Sequence, residues 1–295
     1  MDEIFGFPPQ LLFAQIFMGL INGSFYAVLS LGLAIIFGLL RIINFSHGAM
    51  YMLGAFSAWF GLQYLGINYW IALVLAPLAV GLFGLLIERT MLRRIRHVDH
   101  LYGLLLTFGI ALILEGALVQ FFGVAGQRYP TPDELQGGIN LGFMFLPYYR
   151  AWVIIASVVI CLVTWLIIER TKIGAYLRAG TENPDMVQAF GINVPLMTSL
   201  TYGFGVALSA FAGVLAAPIV SVSPYMGSNL IIVVFAVVVI GGMGSLLGAV
   251  ITGLALGVIE GLTKVFYSEA AGLVIFMIMI IVLLVRPAGL FGRPE

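Results

Sequence analysis

The stretch ERTKIGAYLRAGTENPDMVQAFGINVPLMTS, Glu169 to Ser199, is the longest polar interruption on the side of the chain that carries its cations. Its centre has its own helix punctuation. Asn183 suits a cap, Pro184 the first helical position, and Asp185 the positive end of the helix dipole. Gly191 stands where a glycine ends a helix, and Pro195 bars continuation. These signals predict a helix of roughly two turns from Pro184 to Phe190, between two strongly apolar segments. A helix that short is unstable alone. It needs a surface to dock on, and that surface need not belong to this chain.

Working outward, 62% of the 295 residues are hydrophobic, 9% are charged and the mean hydropathy is +1.12. A soluble domain carries about 25% charged residues, so little of this chain is left for one. The 36 glycines fit a membrane protein, because small residues let helices approach closely in lipid. The one cysteine, Cys161, lies in an apolar run, which excludes a disulfide framework and a thiolate metal site. The N-terminus, MDEIFGFPPQ, is acidic and lacks the basic region of a cleaved signal peptide.

A bilayer core of about 30 Å needs about 20 apolar residues per spanning helix. Leu11 to Leu40 is uncharged, too long for one simple span and too short for a hairpin. We expect a tilted helix or one broken near Asn22-Gly23-Ser24. Spans follow at Gly48 to Gly66, Trp70 to Leu86, Leu101 to Val124, Arg150 to Ile168, Leu200 to Val220, Leu230 to Ile240, Leu246 to Leu262 and Ala270 to Val285. The expected class is an all-α polytopic membrane protein of eight or nine transmembrane helices, forming a single transmembrane domain over residues 1–295. Glu88 to His100 reads as a loop containing Arg89, Arg93, Arg94 and Arg96. Residues 170–199 hold Arg170, Lys172 and Arg178, and the tail holds Arg286 and Arg293. The positive-inside rule places all three in the cytoplasm. The C-terminus is then internal, and the cation-poor loop 125–149 external.

Gly48-Ala49 followed by Gly54-Ala55 is similar to Gly248-Ala249 followed by Gly253 and Ala255. Each follows a short Ser-containing break, Asn44-Phe45-Ser46-His47 in one case and Gly242-Met243-Gly244-Ser245 in the other. Breaks at matching places in two halves suit a repeat-built transporter with discontinuous helices at its pathway. Asn44, Ser46, His47 and Gly48, with Arg41 nearby, either line that pathway or form an ordinary cytoplasmic turn. Glu115 and Glu260 lie within spans, with no Lys or Arg expected in the membrane beside them. They are candidates for an ion or substrate path, or structural glutamates at helix interfaces. His97 and His100 are too few ligands for a metal. No phosphate-binding loop, zinc motif or nucleophile elbow is present, so hydrolytic chemistry is not expected on this chain.

Asn22 to Phe56, NGSFYAVLSLGLAIIFGLLRIINFSHGAMYMLGAF, resembles the N-terminal signature of the LivH-type branched-chain amino acid permeases of bacterial ABC importers. Arg178 to Val194, RAGTENPDMVQAFGINV, resembles that family's coupling loop through Ala179, Asn183, Gly191 and Ile192, and GGMGSLLGAVITG (Gly241 to Gly253) its late glycine-rich segment. The resemblance implies a permease of the bacterial inner membrane. Its partners would be a LivM-like second permease, two LivG/LivF-like ATPase subunits that bind ATP and magnesium, and a periplasmic amino-acid-binding protein. It implies no cofactor on this chain and no nucleic acid. Arg178, Glu182, Asp185, Met186, Gln188, Ala189 and Gly191 would form the ATPase contact. Asn44, Ser46, His47 and Gly48, with Gly241, Gly242, Gly244 and Ser245, would border the translocation path, and Glu115 and Glu260 would line it or pack. The substrate implied is leucine, isoleucine or valine. Urea or short amides, and an ion-coupled carrier using Glu115 or Glu260, stay open as alternatives.

Overall fold

The structure, a computed structural model, describes residues 7–40, 43–95 and 98–292. The first six residues with the acidic start, Arg41, Arg96, His97, Arg293 and the side chain of His100 lie outside the described residues. Helices dominate: α1 (Pro9–Leu40), α2 (Ser46–Leu65), α3 (Tyr69–Ile87), a π turn (Glu88–Leu92) running into α4 (Arg93–Ile95), and α5 (His100–Phe122). Then come α6 (Tyr148–Arg170), α7 (Lys172–Glu182), α8 (Pro184–Ala189), α9 (Val194–Ala216), α10 (Ser228–Gly241), α11 (Leu246–Phe266) and α12 (Val274–Val285). Six helices among the described residues are long and apolar enough to cross a membrane: α1, α3 with its extension, α5, α6, α9 and α11. The 20 residues of α2 are more polar, and α10 and α12 are short.

One alternative is decided and three expectations need correction. First, of the two readings of Leu11 to Leu40 the unbroken one holds: α1 is one helix of 32 residues, about 48 Å at 1.5 Å per residue. Ser24 satisfies its hydroxyl within the helix, on the Leu20 carbonyl at 2.8 Å. Gly23 serves packing: a Cβ there would lie 2.9 Å from the Leu254 carbonyl oxygen. Second, Glu88 to His100 is not all loop, because α3 continues through the π turn to Ile95. Third, α11 reaches Phe266 and so contains Lys264, one turn beyond Glu260. Fourth, the 125–149 segment holds a small antiparallel ribbon, β1 (Gly138–Asn140) with β2 (Phe145–Pro147), turned at Gly142. Strands of three residues are too short to show a period of two.

Two compact units emerge. One comprises Leu31–Tyr129 and Leu162–Ile232. In it α9 packs on α2 and α3, and the core gathers Ile36, Met50, Val80, Ile87, Tyr202 and Val206. The approach of α2 to α9 uses small residues, Gly54 against Ala210 and Gly213 against Tyr51. The other comprises Met1–Ser30, Pro130–Cys161 and Val233–Glu295. Here the first half of α1 packs on α11, with Gly19 and Gly23 on Gly257 and Leu254. Phe13 and Phe17 meet Phe143 of the ribbon turn at 5.7 and 5.9 Å between ring centroids.

Candidate functional site

The polar stretch that opened the sequence folds as two short helices. Thr171 caps α7 through the Ile173 amide at 3.3 Å. Asn183 Oδ1 accepts from the Met186 amide at 3.0 Å and so caps α8, with Pro184 at its first position. The chain leaves α8 at Phe190, turns at Gly191 with φ of 81°, and restarts at α9 with Asn193 capping the Leu196 amide at 3.0 Å. The positive φ at Gly191 is one that L side chains adopt at a cost. Met186 and Phe190 are 59% and 77% exposed, so α8 presents apolar surface with nothing over it among the described residues.

Two cavities flank α8. One, of about 530 Å³, is lined by Tyr176, Glu182, Met186, Val187 and Phe190, among others. The second, of about 680 Å³, is lined by Arg89, Arg93, Gln188, Gly191, Asn193 and Ser199, among others. Of the expected contact residues, Glu182 and Met186 share the first cavity, and Gln188 and Gly191 the second. Asp185 and Ala189 are exposed on α8 and line neither. Arg178, in α7, sits 3.4 Å from Glu169.

The break before α2 is fully buried: Asn44, Ser46 and His47 show no exposure. Asn44 Oδ1 accepts from the Ser46 amide at 3.1 Å and its hydroxyl at 2.6 Å, which caps α2 from outside the helix. Thr107 of α5 holds the other side, accepting from the Phe45 amide at 3.1 Å. Ser209 of α9 donates to the His47 carbonyl at 2.7 Å. Gly48 faces Gly227, where a Cβ would lie 2.6 Å from the carbonyl oxygen. Gly241, Gly242, Gly244 and Ser245 belong to the other unit and do interrupt α10 and α11. Gly242 and Gly244 have φ of 100° and 90°, and Ser245 caps α11 through the Gly248 amide at 3.1 Å.

The two intramembrane carboxylates differ. Glu260 accepts from the Tyr26 hydroxyl and from Lys264, each at 2.7 Å. Glu115, half-buried on α5, has no hydrogen-bond or ion-pair partner among the described residues. A third carboxylate escaped sequence reasoning. Glu88, assigned there to a loop, is 2% exposed and accepts a short hydrogen bond from Ser199, itself 1% exposed. Its charged neighbours suggested solvent, and only the packing of α9 across α3 buries it. The available signal was spacing, since Glu88 follows Leu85 and Gly84 on the stripe that α9 covers.

Long apolar helices, a capped and uncovered α8, and breaks ahead of two further helices, the first of them buried, are the features of a multi-pass membrane protein of the permease kind. The family described as "Branched-chain amino acid transport system / permease component" matches residues 15–283. The chain belongs to that family. It is 31% identical to the high-affinity branched-chain amino acid transport system permease protein BraD of Pseudomonas aeruginosa, over 100% of this chain and 99% of that one. It is 32% identical to the corresponding LivH of Salmonella typhimurium, over 95% and 96%. A more distant relative, LivM of the same organism, is 24% identical over 92% of this chain and 69% of its own length. No solved structure matches the chain.

Proposed function

We propose that this chain is a permease subunit of an ATP-driven importer for leucine, isoleucine and valine, and that α8 is where ATPase subunits grip it. The observation that carries the second part is the exposed, capped α8 with a cavity on either side. A helix of six residues becomes a rigid lever only when docked. ATP and magnesium would be bound by the partner ATPases, which supply the force. A periplasmic binding protein would deliver the amino acid, and a LivM-like chain would complete the permease pair. Arg178 orients α7 through Glu169, while Glu182, Asp185, Met186, Gln188, Ala189 and Gly191 form or shape the contact. Asn44 to Gly48 in one unit, and Gly241 to Ser245 in the other, are each breaks of the kind that line substrate routes. Glu260 is a packing residue, already satisfied by Tyr26 and Lys264.

The finer topology belongs to the same reading. Eight or nine crossings follow if α2, α10 and α12 also traverse the bilayer. Arg89, Arg93, Arg94, Arg170, Lys172 and Arg178 then share the cytoplasmic side with the C-terminus, in the inner membrane. Gly191→Pro or Glu182→Lys should leave insertion intact and lower substrate-stimulated ATP hydrolysis of the assembled complex at least tenfold. Normal hydrolysis and uptake in both variants would make the α7–α8 segment a mere connection. Substrate identity is tested on the cognate binding protein: tight leucine binding supports the assignment, and urea binding without leucine affinity contradicts it.

A further inference from the structure

Glu88 opens the π turn at the end of α3, a helical irregularity that clusters at functional places. The turn keeps Glu88 and Leu92 buried while Arg89 and Arg93 reach the cavity beside α8. A buried carboxylate is costly, yet among the described residues no cation pairs with Glu88. Its partner is the hydroxyl of Ser199, in the second turn of α9, the helix that follows the Gly191 exit from α8. One turn further, Tyr202 has no exposure and lies within electrostatic reach of Glu88, Ser46 and Asn44. Its hydroxyl lies against the Ser46 and Asn44 side chains, yet neither it nor the buried Asn44 Nδ2 reaches full hydrogen-bond geometry among the described residues. Two neighbouring orphans of this kind are a cost that a second arrangement removes.

We infer that Glu88 is a positioning residue for transport: it clamps the start of α9 through Ser199, and Tyr202 carries displacement of α9 to the Asn44–Ser46 break. In the second arrangement the Asn44 amide donates to the Tyr202 hydroxyl, and the cap on α2 is re-set. This rests on the assignment of α8 as the docking element. The geometry explains how a push on α8 reaches a buried break within one compact unit, by a two-state polar network rather than a continuous channel of charge.

The test uses the complete importer in proteoliposomes with leucine-loaded binding protein, reading ATP hydrolysed per leucine moved. Glu88→Gln and Ser199→Ala should assemble with their partners and hydrolyse ATP, with that ratio raised at least fivefold. The double variant should be no worse than the poorer single one, because both changes cut one link. A merely structural role would lower yield without moving the ratio. An unchanged ratio in both single variants, or additive losses in the double, overturns the inference. Should Glu88→Gln not fold, Ser199→Ala and Tyr202→Phe decide by the same ratio. Gly191→Pro is the separate arm. If it hydrolyses and transports normally, the docking assignment fails; if it is inactive while Ser199→Ala and Glu88→Gln stay coupled, only the Glu88 network fails.

Discussion

Asn183 does two jobs, ending α7 with its backbone amide on the Ala179 carbonyl and capping α8 with its side chain on the Met186 amide. An Asn-to-Ala change at such a cap costs about 1 kcal/mol, roughly a fivefold shift in a local equilibrium. Asn183→Ala should therefore lower amide exchange protection across Met186 to Ala189 about fivefold, and Asn183→Asp should retain it. Tyr129 shows the opposite economy. It is buried, its hydroxyl has no partner among the described residues, and its phenol is pushed up to about 12 by burial first and neighbouring Tyr69 second. Between pH 10 and 12 the folded phenol keeps a proton that the unfolded one, at 10.0, has lost. Stability contributed by this group is thus complete below pH 10 and is lost as pH rises through that window. Tyr129→Phe should unfold at the same temperature as the parent at pH 7 and lose less stability between pH 10 and 12, measured by thermal melts in detergent.

At the scale of elements, local punctuation was legible and packing was not. The α8 signals from Asn183, Pro184 and Gly191 act within a few residues of themselves, so their sum predicted the helix to within one residue of its observed end. The breaks at Asn44 and at Gly241 to Ser245 were legible for the same reason. Asn22-Gly23-Ser24 looked equally disruptive, yet Gly23 is there for contact with α11 and Ser24 bonds within its own helix. Glu88 and Lys264 were misjudged because their surroundings depend on what another helix covers. Gly48 tests the packing claim. Gly48→Ala inserts a methyl 2.6 Å from the Gly227 oxygen and should cost about 1–3 kcal/mol, seen as a lower melting temperature. Gly109→Ala on α5, where nothing lies within 4 Å, should not.

For the whole molecule, composition sufficed to show that little of this chain is left for a soluble domain, and the class was plain before any coordinates. What residue order did not reveal was how the parts communicate, because Ser199, Tyr202, Glu88 and Asn44 come together only once α2, α3 and α9 pack. The central claim is that α8 is a docking element for an energy-supplying partner. Cys161 is buried, so a single exposed cysteine can be introduced without competition. The most direct measurement is cross-linking of Met186→Cys in the assembled importer in native membranes. A covalent adduct with an ATPase subunit is expected, with a yield that changes when ATP is added. No adduct at position 186, in complexes that still transport leucine, would contradict the claim.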